Sequence, residues 1–350
     1  MILRANELQV QEILLDSIDW ENDAFALRYA REAPADLGAS LARVGMLNPP
    51  ILTEAASSPL PLPSSSSATL SRSASRSPFA IVCGFARLHA WRALGENEVA
   101  VRIAPAGTPP QDLFYLSIED NRQGRGFNII EQAIALEKLA SCLSQAQLVA
   151  EALPQLGLNP APAVLERLLG YRALSPGVQR ALALGDITES LVPILRSFEW
   201  GEQEALLGAM LGLGMSVGAC RDCGREALEI CKRDHIEMCA LLEELGFERE
   251  RLYEPWELPQ VRSRFLDALR ARRYPMLSRL NDDYVRTHKA LALGDEVRIR
   301  PPKDFEGERY ALEARLSNAE DLERIAGLLT DRLETRRDLV ERLFDVRWEE

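Results

Sequence analysis

Residues 79–90 read Phe79-Ala80-Ile81-Val82-Cys83-Gly84-Phe85-Ala86-Arg87-Leu88-His89-Ala90. The first five form an apolar run of strand length, and a helix pattern spans Arg87–Leu94. A glycine between strand and helix leaves backbone N–H groups exposed at a helix start, which suits phosphate. Arg87 adds a guanidinium whose forked geometry matches phosphate oxygens. Further strand signals flank this core: Ile13-Leu14-Leu15, Pro50-Ile51-Leu52-Thr53 and Val99-Ala100-Val101-Arg102-Ile103. Another helix pattern covers Asp36–Val44. Residues 1–127 therefore predict a mixed α/β domain. Residues 55–78 are dominated by Ser and Pro and carry no apolar periodicity, which predicts a disordered insertion between two strands. Such an insertion adds little closure entropy.

From 128 to 293 the signal is almost wholly helical. Asn128 before Ile129-Ile130-Glu131 predicts a capped helix running to about Cys142. Ser175-Pro176 predicts another helix start, with a stop near Gly185. Residues 294–350 change character. Val297 and Ile299 alternate with Arg298 and Arg300, and Tyr310, Leu312, Ala314 and Leu316 alternate with polar or small residues. This is a hairpin with one apolar face. Ser317-Asn318-Ala319-Glu320 reads as a capping-box start. Leu322, Ile325, Leu329, Leu333, Leu339 and Leu343 then predict one long amphipathic helix. A hairpin and a helix bury little on their own, so this tail calls for a partner, either another domain or its own copy.

The chain has 350 residues, 47% of them hydrophobic and 27% charged, which is ordinary for a globular protein of two or three domains. No apolar run is long enough to span a membrane. The first residues, MILRANELQVQEILLDSIDW, lack the long apolar stretch of a signal peptide, so a cytoplasmic location is expected. Six scattered cysteines do not make a disulfide framework. A net charge of -12 argues against a general nucleic-acid coater but leaves room for one local basic surface.

Four segments in order carry a resemblance: Gly45-Met46-Leu47-Asn48-Pro49-Pro50-Ile51-Leu52; Ile81 to Ala90 with its glycine and arginine; Ile118-Glu119-Asp120-Asn121-Arg122-Gln123; and Asn128-Ile129-Ile130-Glu131-Gln132-Ala133. They resemble the N-terminal domain of ParB-type chromosome and plasmid partition proteins. The resemblance implies a ParB/sulfiredoxin-like α/β fold that binds cytidine triphosphate (CTP) with magnesium. Carried onto this chain, the nucleotide-binding residues are Asn48, Gly84, Arg87, Asp120, Asn121, Arg122 and Arg125. Asp120, a hard oxygen ligand, is the magnesium ligand. Phe85 and Ala86 stand where the family commonly has Glu and Arg, and Gly124 stands where its second box has arginine, with Arg122 and Arg125 flanking it. Each missing charge-assisted bond costs about 1.5–3 kcal/mol of binding. Any hydrolysis is therefore expected to be at most a weak CTPase-type activity. A sulfiredoxin needs a cysteine inside the phosphate turn, but Cys83 precedes Gly84, so that reading is rejected. ParB-like serine kinases need an added catalytic carboxylate, which the sequence does not identify.

The middle and the tail extend the resemblance. Leu148-Val149-Ala150-Glu151-Ala152-Leu153 through Gly157, then Val164-Leu165-Glu166-Arg167-Leu168-Leu169, resemble the ParB helix-turn-helix, followed by Leu174-Ser175-Pro176-Gly177-Val178. The turn Leu158-Asn159-Pro160-Ala161-Pro162-Ala163 lacks the family's basic residues. Thr188-Glu189-Ser190 stands in a later segment that helps read the partition site, without its histidine and arginine. Asn159 and Arg167 remain as DNA contacts of a degenerate reading unit. Val297-Arg298-Ile299, Tyr310 to Ser317 and Glu320-Asp321-Leu322-Glu323-Arg324-Ile325 resemble the ParB C-terminal dimerisation domain, a small ββα unit.

Two stretches lie outside the resemblance. Cys220, Cys223, Cys231, His235 and Cys239 contain a Cys-x-x-Cys pair suited to zinc, and Gly224 could break the helix behind it. On a continuous helix, however, all five share one broad face, where buried cysteine acts as a small hydrophobe; that second reading is preferred. Residues 262–289 hold eight basic groups against three acids, and Arg270, Arg272 and Arg273 are expected to contact DNA phosphates. The bland alternative is a solvated helical face.

The sequence therefore predicts a multidomain α+β protein: 1–127 nucleotide-binding, 128–293 helical, 294–350 dimerising. The expected function is that of a ParB-like homodimer that associates with DNA in response to nucleotide, in partition or regulation. It would be nucleoid-associated, with a ParA-type ATPase as a possible partner. The competing classes are a nucleotide-dependent small-molecule enzyme on the same scaffold and an adaptor that has lost both ligands.

Overall fold

The structure is a computed structural model and describes residues 7–29, 36–54, 77–124, 126–247, 254, 256–307 and 309–344. All but Ser77 and Pro78 of the Ser/Pro insertion lies outside the described residues, as does Arg125. The chain is mixed α/β and mostly helical. It divides into two compact units, Met1–Leu211 and Gly212–Glu350. Among the described residues no helix is long and apolar enough to cross a membrane.

The first unit holds strands β1 (Val10–Leu14), β2 (Ile18–Asp19), β3 (Ile51–Glu54), β4 (Phe79–Cys83) and β5 (Glu98–Ile103), with helices α1 (Leu37–Val44) and α2 (Phe85–Ala93) between them. The sheet order is β1-β5-β3-β4-β2. β1 runs antiparallel to β5 and β3 antiparallel to β4, while β3 pairs with β5 and β2 with β4 in parallel. Four of the five residues of β4 are buried, as a strand covered on both faces requires. One face packs Leu52, Ile81, Val99 and Val101 against Leu15, Ile18 and Leu88. Against β4 lies α3 (Pro110–Gly124).

Asn128 caps α4 (Ile129–Leu139) through a complete capping box with Glu131. The helix stops at Leu139 rather than near Cys142, because Ala140 ends it and Ser141 turns back onto the Lys138 carbonyl. A helical segment over 145–155 follows, with a π-turn at Leu148–Ala152. After Gly157 the chain enters α5 (Pro162–Tyr171), α6 (Pro176–Leu184) and α7 (Trp200–Gly212). Ser175 caps α6 and Gly185 ends it in the left-handed region, as the sequence predicts.

The second unit contains α8 (Val217–Asp234), α9 (Met238–Glu244), α10 (Leu258–Arg273), α11 (Pro275–Leu291), the hairpin β6 (Val297–Arg300) and β7 (Ala311–Ala314), α12 (Ala319–Thr335) and α13 (Arg337–Phe344). The hairpin register pairs Val297 with Ala314 and Ile299 with Leu312. The single long C-terminal helix expected from the leucine spacing is broken at Arg336, which leaves helical geometry. The break folds α13 back so that Leu343 joins Leu291, Leu293, Val297 and Ile325 in one core, with Leu339 and Val340 packed on it. The cap of α12 also sits one residue later than expected. Asn318 accepts from the Asp321 N–H, and the Asp321 carboxylate takes the Ser317 N–H.

Candidate functional site

Gly84 closes β4 and caps α2 in the left-handed region, with φ 89° and ψ 19°. A Cβ there would lie 2.6 Å from the Pro50 Cβ and 3.1 Å from its Cα. Glycine is thus required twice, for its backbone angle and for the approach of Pro50. α2 begins at Phe85, two residues before the helix pattern in the sequence, since Gly84 rather than Phe85 makes the turn. No side chain caps this helix start, so the first-turn N–H groups point outward unpaired within the helix.

Around this helix start lies a cleft of about 480 Å³ lined by Ala26, Leu27, Arg28, Leu37, Asn48, Gly84, Phe85, Ala86, Arg87, Asp120 and Asn121. Arg87 Nη2 donates to both Asp120 oxygens at 2.7 and 2.8 Å, and Nη1 donates to the Asn48 carbonyl at 2.6 Å. These side chains are partly open, 21% exposed for Arg87 and 34% for Asp120. Asn121 Nδ2 is tied to the Ser117 carbonyl at 2.8 Å, which leaves Oδ1 as its remaining acceptor. The Cys83 thiol lies buried behind the turn. Burial first, and then the Asp120 charge, push it up to about 12, which keeps it protonated at neutral pH.

The fold thus gathers five of the expected nucleotide residues: Asn48, Gly84, Arg87, Asp120 and Asn121. Arg122 does not line the cleft and pairs with Glu119 on its own helix. Sequence reasoning missed Ala26, Leu27, Arg28 and Leu37. The first three belong to an irregular segment, 23–29, whose backbone is held by distant side chains. Ser117 Oγ donates to the Phe25 carbonyl at 3.1 Å, and Lys138 Nζ to the Ala26 carbonyl at 2.8 Å. The fully buried Glu131 accepts the Tyr29 N–H at 3.0 Å, and Asn128 Nδ2 donates to the Tyr29 carbonyl. Burial lowers the Lys138 pKa from its ordinary value. The only local sign in the sequence is the capping box, which carries this second task.

His89 stands on the exposed side of α2 against Trp20, ring centroids 5.2 Å apart. Trp91 packs against the sheet core and donates to the Glu98 carbonyl at 2.8 Å.

The residues expected to meet DNA lie in both units. Asn159 is exposed before α5. Arg167 pairs with Glu189 at 2.9 Å, and the buried Tyr171 donates its hydroxyl to the same carboxylate at 2.5 Å. Burial first, then Glu189, raise the Tyr171 pKa.

In the second unit Arg272 is paired with Asp234 and Glu244, and Arg273 with Glu226 and Glu229. Arg233 donates to the carbonyls of Arg272 and Arg273 at 3.0 and 2.9 Å, which satisfies the end of α10. The charge of Arg272 and Arg273 is therefore matched within the unit, while Arg270 is exposed. α8 runs unbroken through Gly224, with Cys220, Cys223 and Cys231 buried along it. Burial raises Cys220 and drives Cys223 up to about 12. His235 ends the helix in the left-handed region and Cys239 is exposed. Among the described residues no three His, Cys, Asp or Glu side chains gather as a metal group.

No protein-family model matches the chain, and no curated protein matches its sequence. Among solved structures it is similar to the C-terminally truncated chromosome-partitioning protein ParB from Caulobacter crescentus complexed to the centromeric parS site. The identity is 16%, over 62% of this chain and 99% of that one, with a TM-score of 0.33. It is also similar to the same truncated ParB complexed with CTP-gamma-S, at 18% identity over 55% of this chain and 94% of that one, with a TM-score of 0.25. Overlaps this slight assign neither family nor activity.

Proposed function

We propose that the cleft at the start of α2 binds a nucleoside triphosphate with magnesium, and that the chain is a ParB-like, DNA-associated homodimer that responds to that nucleotide. The observation that carries the reading is the meeting of Arg87, Asp120, Asn121 and the uncapped start of α2 in one cleft. Arg87 and Asp120 lie 33 residues apart in sequence, yet the fold brings them into direct contact. The donor set fits the ligand. Guanidinium and helix N–H groups suit phosphate, and a carboxylate beside an amide oxygen suits magnesium, which favours hard oxygens and phosphates. In this reading Arg87 and the α2 start hold phosphate, while Asp120 and Asn121 hold the metal. Leu27, Leu37 and Phe85 supply an apolar wall for the rest of the ligand. CTP is the nucleotide that the resemblance to ParB-type proteins implies, and hydrolysis is at most weak.

The functional division is 1–127 for nucleotide, 128–293 for DNA and 294–350 for the homodimer. The exposed Leu312, Leu316 and Leu322, 56%, 47% and 56% exposed, form the surface offered to a second copy. DNA contact is assigned to Arg270 with Asn159, while Arg167, Arg272 and Arg273 contribute as phosphates displace their acidic partners. A DNA-retention assay with and without CTP and magnesium tests the reading: retention that rises with CTP supports it. Equal retention in both conditions, or none in either, overturns it.

A further inference from the structure

Arg87 and Asp120 are assigned to different parts of the same ligand, yet they are paired with each other. The guanidinium spends Nη2 on both Asp120 oxygens and Nη1 on the Asn48 carbonyl. The same Nη2 lies 3.3 Å from where a Cβ on Gly84 would be, so the guanidinium folds back over the helix start. An anion approaching α2 therefore meets an arginine that is already neutralised. To gain Arg87 it must strip a carboxylate of its counter-charge in a partly buried place, and a partly buried charge left unpaired is costly. The converse holds for a cation: approaching Asp120 alone, it must leave a guanidinium unpaired.

We infer that the Arg87–Asp120 pair is a gate that couples the two halves of the ligand, so that the cleft accepts phosphate as a chelate of a divalent cation and rejects the free anion. This deepens the nucleotide reading above and rests on it. When both charges arrive together, Asp120 exchanges Arg87 for the cation and Arg87 exchanges Asp120 for phosphate. No charge is stranded at any point. Asn121 lines the same cleft, and with Nδ2 bound to the Ser117 carbonyl its Oδ1 is left to accept from or ligate the incoming group. Because coupling between two ligands is reciprocal, each must tighten the other by the same factor, and couplings of this kind run about 5–150-fold.

The test is calorimetry with the full chain, using CTP and inorganic tripolyphosphate as probes, each in excess magnesium and in EDTA. The variant is Asp120→Asn, which keeps the shape of the side chain and removes the charge holding Arg87. The gate predicts that wild type loses at least tenfold in affinity for both probes in EDTA. It predicts that Asp120→Asn binds tripolyphosphate in EDTA at least fivefold more tightly than wild type, with most of the magnesium response gone. Wild-type affinity that is equal in magnesium and EDTA overturns the gate and the magnesium part of the reading, and leaves triphosphate binding itself standing. An Asp120→Asn protein no tighter than wild type in EDTA overturns the gate alone. Absence of binding by wild type under every condition overturns the nucleotide reading itself, and the gate with it. Should Asp120→Asn fail to show the wild-type circular dichroism, the reciprocal titration of wild type decides. Tripolyphosphate must raise magnesium affinity, and magnesium must raise tripolyphosphate affinity, at least fivefold; absence of the shift overturns the gate.

Discussion

Replacing Gly84 by alanine puts the turn between β4 and α2 under a test whose size follows from geometry. At φ 89° an L-residue sits in the left-handed region, which costs about 1–2 kcal/mol. The new methyl would also stand 2.6 Å from the Pro50 Cβ, an overlap relieved only by moving β3 or α2, at roughly 1–3 kcal/mol for an overpacked site. Gly84→Ala should therefore destabilise the first unit by about 2–5 kcal/mol, a large share of a typical domain's total. Urea unfolding followed by circular dichroism reads it directly. Pro50→Gly separates the two terms. In a double-mutant cycle with Gly84→Ala it should recover the overlap part and leave the backbone part in place. A Gly84→Ala chain within about 0.5 kcal/mol of wild type, the range of a neutral surface change, would refute the turn geometry and the placement of Arg87 that depends on it.

Other parts of the account make separate claims. Leu312→Asp with Leu322→Asp, both at exposed positions, should convert a dimer to monomer in sedimentation velocity while changing unit stability by less than about 1 kcal/mol; an unchanged dimer removes the assigned interface. Arg273→Ala should cost roughly 1–3 kcal/mol in unfolding, because it leaves the largely buried Glu226 carboxylate without its partner. Arg270→Ala should leave stability alone yet lower the slope of log affinity against log salt by about 1 in DNA binding; a reversed pattern contradicts the ion-pair assignments. His288 accepts the Ile299 N–H on Nε2 at 3.3 Å and must be neutral to do so. Burial and then Arg298 lower its pKa. Its contribution is thus complete above the ordinary histidine range near pH 6.5 and is lost as pH falls through the lower folded value. Urea midpoints measured from pH 7.5 to 5 should fall more steeply for wild type than for His288→Phe, and parallel curves would count against that bond.

The strand–glycine–helix core was legible because its signals are local: an apolar run for a doubly covered strand, and a glycine where the chain must turn. Asp120 and Asn121 were legible only through motif order, since nothing in the helix pattern of 110–124 sets them apart from other polar positions. Arg28 and Leu27 were not legible. Their segment has no periodicity, and its shape is imposed by Ser117, Asn128, Glu131 and Lys138, roughly a hundred residues away. The break at Arg336 was hidden for a different reason. Leu333 and Leu339 keep up the spacing of one amphipathic helix, while the contacts made across the break, Leu343 with Leu291 and Val297, are distant in sequence. In 262–289 the positive charges were visible. Their partners, Glu226, Glu229, Asp234 and Glu244, lie in helices earlier in the chain, where no local window joins them.

The central claim, that the α2 cleft holds a nucleoside triphosphate through Arg87, is tested most directly by calorimetric titration of CTP with magnesium into the full chain and its Arg87→Ala variant. Loss of one charge-assisted phosphate contact, about 1.5–3 kcal/mol, should weaken binding by roughly ten- to a hundredfold. Saturable binding by wild type with that loss in the variant is the predicted result. Equal affinity in both proteins, or no heat from either, contradicts the account.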